Sequence, residues 1–179
     1  MSFFKLISAL VICTNLLTAC GHESDNQTPS SDTSSFGSWS TMIGGTLATL
    51  SDDNRGKIES MDFYRVLSPV GFGVVHEFIG IVAKTSDGKA WALTTGLVGD
   101  EDDAYFRANL NNKNIALYFG SSSDKVSSQN LIRTISAKMN ASPYHNQVYY
   151  ASAMTMTPLF GRPCANVASE LEALINRSI

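Results

Sequence analysis

The segment Val74-Val-His-Glu-Phe-Ile-Gly-Ile-Val-Ala83 has apolar residues at both odd and even positions. This pattern is typical of a central β-strand that is covered on both faces. We therefore expect this segment to lie at the centre of a sheet. His76 lies inside the apolar run, where a polar side chain costs free energy unless it has a partner. It is either a satisfied core histidine or part of a cleft, and Glu77 points to the opposite face.

A hairpin is predicted to follow this strand. Asp87-Gly88 tolerates the positive φ angles of a two-residue type I′ turn, so it is a good connection between two strands. Ala90–Thr95 then has the composition of the return strand, and the acidic loop Asp100–Asp103 comes after it.

The predicted hairpin register suggests a partner for the histidine. With Asp87-Gly88 as the turn, His76 lies opposite Gly99 and close to Asp100. Asp100 is therefore the candidate carboxylate for holding the imidazole, and Thr95 is the alternative if the hairpin loop is longer. An acidic loop that is simply solvated is the other interpretation.

The remaining pattern predicts an α+β domain with an antiparallel sheet and packed helices. Strand-like segments and apolar stripes at helical spacing alternate along the rest of the chain. The further predicted strands are Lys57–Leu67, ending at Ser68-Pro69, then Asn114–Gly120 and Gln147–Thr155, and the predicted helices are Ser127–Asn140 and one that starts at Pro163.

The N-terminus has the pattern of an export signal. One positive charge, Lys5, precedes an apolar run that is short for a membrane-spanning helix. The run ends in Leu17-Thr-Ala-Cys20, which resembles a bacterial lipobox. That resemblance implies that residues 1–19 are removed and that Cys20 carries lipid. An ordinary secretory signal peptide is the alternative.

Residues 20–40 are predicted to be a flexible linker in front of a single domain over residues 41–179. The linker is rich in Ser, Thr and Asp and has no apolar periodicity. Gly21, rather than Asp, follows Cys20, so the resemblance to Gram-negative lipoproteins implies an outer-membrane lipoprotein facing the periplasm.

Composition argues against several kinds of partner. The chain has 13 Lys and Arg against 16 Asp and Glu, and loss of Lys5 with the signal makes the balance more negative. Nucleic acids and anionic lipids both favour a basic patch, so we expect neither as a partner. We expect no metal, because the three histidines are dispersed, and no cofactor, because phosphate-loop and Rossmann glycine patterns are missing.

Cys164 is the one cysteine that this processing leaves free. Cys13 is lost with the signal and Cys20 is consumed by lipid. Cys164 stands at the start of the terminal helix, where the positive end of the helix dipole favours a thiolate. The apolar stripe of this helix comprises Val167, Ala168, Leu171, Leu174 and Ile175. A reactive thiol and a buried structural cysteine are both consistent with this position.

His76 is the candidate base for this thiol. His22 lies in the linker, and His145 is in a predicted turn where a solvated side chain is the simplest interpretation. Only His76 lies in a strong strand of the predicted sheet.

A histidine early in a strong strand, a hairpin return and a later cysteine that opens an amphipathic helix resemble the permuted papain-like group. This group includes permuted NlpC/P60-type hydrolases and their lecithin:retinol acyltransferase-like relatives. Val75–Val82 resembles their histidine strand, and Cys164-Ala-Asn-Val-Ala resembles their nucleophile helix. Pro163 is a departure, because several of these relatives have Asn before the nucleophile.

The resemblance implies a cysteine hydrolase of the amidase or peptidase kind. Cys164 is the expected nucleophile on the C-terminal helix, His76 the base and Asp100 the orienting residue. The implied substrate is a peptide bond in peptidoglycan, with a lipid acyl bond second. The competing hypothesis is a non-catalytic envelope lipoprotein, an inhibitor or assembly factor, that binds a protein through Tyr149-Tyr150 or the acidic loop.

Overall fold

The computed structural model describes residues 42–71, 74–141 and 164–179. Within them the fold is α+β, with five strands and four helices. The elements in chain order are β1 (Ile43–Thr46), α1 (Asp52–Lys57), β2 (Ile58–Gly71), β3 (Val74–Thr85), β4 (Ala90–Thr95), α2 (Asp102–Asn109), β5 (Ala116–Ser122), α3 (Lys125–Asn140) and α4 (Cys164–Asn176).

The five strands form one mixed sheet in the order β1-β4-β3-β2-β5. The central position of β3 and the bounds of β4 are confirmed. The prediction of an antiparallel sheet is wrong at one edge, where β1 runs parallel to β4. β1 is only four residues long and contains Gly44-Gly45. Glycine is depleted in strands, so the sequence pattern did not reveal this element.

Apolar side chains cover both faces of the sheet. One buried cluster joins the odd-numbered positions Ile79 and Ile81 of β3 to α3 and α4. The other joins the even-numbered positions Phe78 and Val82 to Phe106 of α2. This alternation is the period-two geometry of a strand. It follows that α2 lies on one face of β3 and that α4 lies on the other.

Each of the two C-terminal helices buries an apolar stripe, and the stripe of α4 is the one that was predicted. α3 buries Leu131, Ile132 and Ile135, and α4 buries Val167, Ala168, Leu171 and Ile175. Met139 and Leu174 are partly buried against the same cluster. Within the described residues no helix is both long enough and apolar enough to span a bilayer.

The β3–β4 hairpin has a longer loop than predicted. Thr85 pairs with Lys89, and the N–H of Gly88 donates to the carbonyl oxygen of Thr85 at 2.9 Å. Gly88 has φ of 77°, so this is a three-residue loop with a left-handed last residue. As a result Ile79 lies opposite Thr95, one residue away from the predicted register.

Beyond the sheet proper, β2 and β3 continue as a two-stranded arm. Pairing with β5 ends at Val66, and pairing with β4 ends at Ile79. β2 was predicted to end at Leu67, yet it runs on through Pro69, which pairs with Val75. Proline lacks an N–H and is tolerated at a sheet edge. The arm provides such an edge, because among the described residues no third strand pairs there.

Several sequence predictions fall outside the described residues. They are the signal at residues 1–19 with Cys13, the linker at residues 20–40 with Cys20 and His22, the strand at residues 147–155, His145 and Pro163.

Candidate active site

The imidazole of His76 is buried in the arm of β3. The residue is 3 % exposed, and it pairs across the strands with Ser68. Its ring centroid lies 5.2 Å from that of Phe78, which is on the same face of the strand. A buried imidazole needs polar partners to offset its lost hydration.

Asp102 is the first of these partners. The Nε2 atom of His76 lies 3.1 Å from Oδ2 of Asp102. Because a carboxylate oxygen accepts, Nε2–H is the donor in this bond. The same Oδ2 accepts from the backbone N–H of Gly99 at 2.6 Å. The loop before α2 therefore holds the carboxylate, and the carboxylate in turn holds the ring.

The position of Asp102 follows from the start of α2. Asp102 and Asp103 occupy the first turn of this helix, where the helix dipole favours negative charge. The Asp102 side chain is 13 % exposed, so its carboxylate is mostly shielded from water.

Cys164 is the second partner. It is the first residue of α4, is partly buried and packs against the apolar cluster under that helix. Its side chain lies close enough to the imidazole of His76 to raise the pKa of that ring. Asp102 and Cys164 therefore both act on one buried imidazole.

These partners raise the pKa of His76. Burial alone lowers it, but the hydrogen bonds and charges of Asp102 and Cys164 outweigh burial and raise the pKa from 6.5 to about 9. At neutral pH the ring is therefore an imidazolium, which donates from both nitrogens.

β3 no longer pairs with β4 at the position of His76. The last β3–β4 pair is Ile79–Thr95, and Gly96 then turns the chain away with φ of 116°. His76 lies on the same face as Phe78, which packs with α2, whereas α4 packs on the other face.

Glu77 points to the α4 face, as predicted. Its Oε2 atom accepts from Nε of Arg65 at 2.8 Å. The same guanidinium donates to Glu172 and Ser169 of α4. A charged cluster on the α4 face therefore lies directly behind the histidine.

The carboxylate that is hydrogen-bonded to His76 belongs to a different aspartate from the predicted one. Asp100, the predicted residue, is exposed, and Asp102 takes its place. The register argument extended the β4 ladder beyond Thr95, where Gly96 in fact ends it. Thr95, the alternative, is buried within the ladder.

The acidic run contained the information needed to find Asp102. Acidic residues shortly before Tyr105 and Phe106 are typical of a helix start, and a residue in the first turn of a helix has a defined direction. The run was interpreted as a loop instead.

Comparisons with known proteins identify no relative. Neither a scan of protein-family models nor searches of curated proteins and solved structures found a match for this chain. Within the described part of the chain, no group of three or more His, Cys, Asp or Glu residues is arranged to hold a metal ion.

Proposed function

We propose that this protein is a membrane-anchored periplasmic cysteine hydrolase that cleaves an amide bond through Cys164 and His76. The observation that carries the proposal is a buried imidazole that is bonded to Asp102 and that lies close enough to the Cys164 side chain for its pKa to be raised. A nucleophile, a base and a residue that orients the base are the three parts of a nucleophilic hydrolase.

The first half of the reaction is acyl transfer to sulfur. The thiolate of Cys164 attacks the carbonyl carbon, and the carbon–nitrogen bond then breaks. The His76 imidazolium gives its proton to the leaving amine, so a neutral imidazole and a thioester remain. Asp102 keeps Nε2 protonated throughout, which leaves Nδ1 as the nitrogen that gives the proton.

The second half is hydrolysis of the thioester. The neutral imidazole of His76 takes a proton from water, and the water oxygen attacks the acyl carbon. The carbon–sulfur bond breaks, which releases a carboxylic acid and restores the thiolate and the imidazolium. In this proposal the N–H groups in the first turn of α4, which begins at Cys164, stabilise the charge that develops on the carbonyl oxygen.

The chain order supports a permuted papain-like arrangement as the finer description of the fold. The histidine on β3 comes first, and the cysteine opens the C-terminal helix. In this proposal the protein is an outer-membrane lipoprotein, anchored through lipid on Cys20 and facing the periplasm. Its substrate is a peptide bond in peptidoglycan, and an acyl bond in a lipid is the second candidate.

Substitution of the nucleophile tests the proposal. Full-length protein purified from membranes in detergent is incubated with peptidoglycan sacculi, and the release of free amino groups is measured. We expect Cys164→Ala to reduce this release by at least about 1000-fold, because the covalent step is lost. The matched control is Ser178→Ala, a small change at an exposed residue just after the same helix.

Two outcomes would contradict the proposal. One is a Cys164→Ala variant that retains wild-type hydrolysis of the sacculi. The other is a wild-type protein that releases no amino groups from sacculi and no fatty acid from phospholipid vesicles. That result favours the non-catalytic alternative, in which the protein acts by binding a partner.

A further inference from the structure

Arg65 lies at the junction between the two elements that carry the reacting groups. It is on β2, opposite Ile79 of β3. Its guanidinium donates from Nε to Glu77 at 2.8 Å and from Nη1 to Glu172 at 2.8 Å. The two carboxylates belong to β3 and α4, so this single planar group connects the strand to the helix.

The same guanidinium reaches the first turns of α4. Nη2 donates to Oγ of Ser169 at 3.0 Å and lies 3.5 Å from the carbonyl oxygen of Ala165. Ala165 is the residue directly after the thiol. On the strand side, Glu77 is the residue directly after the imidazole. The contacts of Arg65 therefore lie one residue away from both reacting groups.

We infer that Arg65 is a positioning residue that fixes the sulfur of Cys164 against the imidazole of His76. This inference rests on the proposed role of those two residues. α4 packs on the face of the sheet opposite His76, so a rotation of its first turn changes the distance between the sulfur and the ring. The guanidinium opposes such rotations by binding the helix at three points.

The guanidinium of Arg65 is already occupied by acceptors within the protein, which argues against a role in binding substrate. Two carboxylates and two further acceptors already occupy it, and the side chains of Arg65, Glu77 and Glu172 are 23 %, 21 % and 24 % exposed. A guanidinium that has two carboxylate partners has little attraction left for an anionic ligand. Its planar arrangement of donors suits several acceptors at fixed angles, which the ammonium group of lysine does not reproduce.

The test compares Arg65→Gln and Arg65→Lys with Lys138→Gln. Lys138 of α3 makes a 2.9 Å ion pair with Glu170 of α4, so its substitution also removes a charged contact to this helix. That contact does not involve the turn that carries the thiol. Two quantities are measured for the full-length protein, namely the rate of Cys164 alkylation by iodoacetamide across pH, and kcat and KM for sacculi.

We expect Arg65→Gln to slow alkylation at pH 7 and to lower kcat by about 10- to 100-fold, because the sulfur is displaced from the ring. KM stays unchanged, because Arg65 does not touch the substrate. Arg65→Lys recovers part of both quantities, and Lys138→Gln keeps the wild-type values. A folded Arg65→Gln variant with the wild-type alkylation profile and kcat would overturn the inference.

A second variant covers the case in which Arg65→Gln does not fold. Removing the cation alone leaves two shielded carboxylates without a partner, whereas Arg65→Leu with Glu77→Gln and Glu172→Gln removes the charges together. We expect the folded triple variant to show the same loss of kcat and of alkylation rate, and wild-type values for both would refute the inference. Alkylation needs no substrate, so this result is separate from a failure of the hydrolysis assay with Cys164→Ala.

Discussion

His76 and Glu77 are neighbours on β3 that lead to two different polar clusters, one on each face of the sheet. On one face, His76 connects Asp102 to the thiol of Cys164. On the other face, Glu77 and Glu172 share the guanidinium of Arg65. Both clusters join a helix to the sheet, and both exclude most of the surrounding water.

The two clusters differ in whether a proton can move. A guanidinium remains charged at every physiological pH, so the Arg65 cluster is a fixed set of ion pairs. In the proposed function the imidazole and the thiol exchange a proton, and Asp102 sets which ring nitrogen takes part. Under that proposal one cluster carries the chemistry and the other holds the geometry.

Substitution of Asp102, the carboxylate that orients His76, is expected to produce the largest difference between the two clusters. We expect Asp102→Asn to lower kcat/KM for sacculi by about 100-fold, because the amide no longer favours the protonated Nε2. The alkaline limb of kcat/KM, expected near the His76 pKa of about 9, should also move to lower pH. Asp100→Asn is the matched control, because Asp100 is exposed and belongs to the same acidic run.

If Asp102→Asn kept the wild-type kcat/KM and pH profile, the proposed difference between the two clusters would be contradicted. The polar cluster on the His76 face would then be structural, like the one around Arg65. A loss in Asp100→Asn equal to the loss in Asp102→Asn would indicate a general effect of acidic charge.

A smaller effect is expected on stability as pH rises. The folded pKa of His76 lies above its ordinary value of 6.5, so its contribution to the free energy of unfolding is complete below pH 6.5. This contribution is lost as pH rises through about 9, and its size is on the order of 3 kcal/mol. Urea unfolding at pH 6 and pH 9.5 measures the loss.

Arg65→Lys is the control for this alkaline loss. Both cations are charged at pH 6 and pH 9.5, so this variant should be destabilised by the same amount at the two pH values. Asp102→Asn should instead show a smaller alkaline loss than the wild type, because the negative charge that helps to raise the His76 pKa is missing. A wild-type stability that does not fall toward pH 9.5 would contradict this assignment.

Much of the scaffold could be predicted because it depends on local patterns. The apolar run of β3, the bounds of β4 and the stripes of α3 and α4 follow from periodicity. His76 and Cys164 stood out because each is chemically unusual for its position.

The features that the sequence did not predict, namely the carboxylate beside His76 and the Arg65 cluster, depend on longer-range geometry. The residue that supplies a carboxylate to His76 was set by a one-residue change in hairpin register and by the backbone turn at Gly96. The pattern of side chains specifies neither of them. The Arg65 cluster joins residues that are more than 100 positions apart in the chain. Such contacts arise only when β2, β3 and α4 are placed together.

Titration of His76 by NMR tests the central claim most directly, because it needs no substrate. The imidazole carbon shifts of the wild type and of Cys164→Ala are followed from pH 5 to pH 11. We expect a wild-type pKa of about 9 that falls in Cys164→Ala, since the contact with sulfur raises it. A wild-type pKa near 6.5, or one that the loss of the thiol does not change, would contradict the pairing of His76 with Cys164.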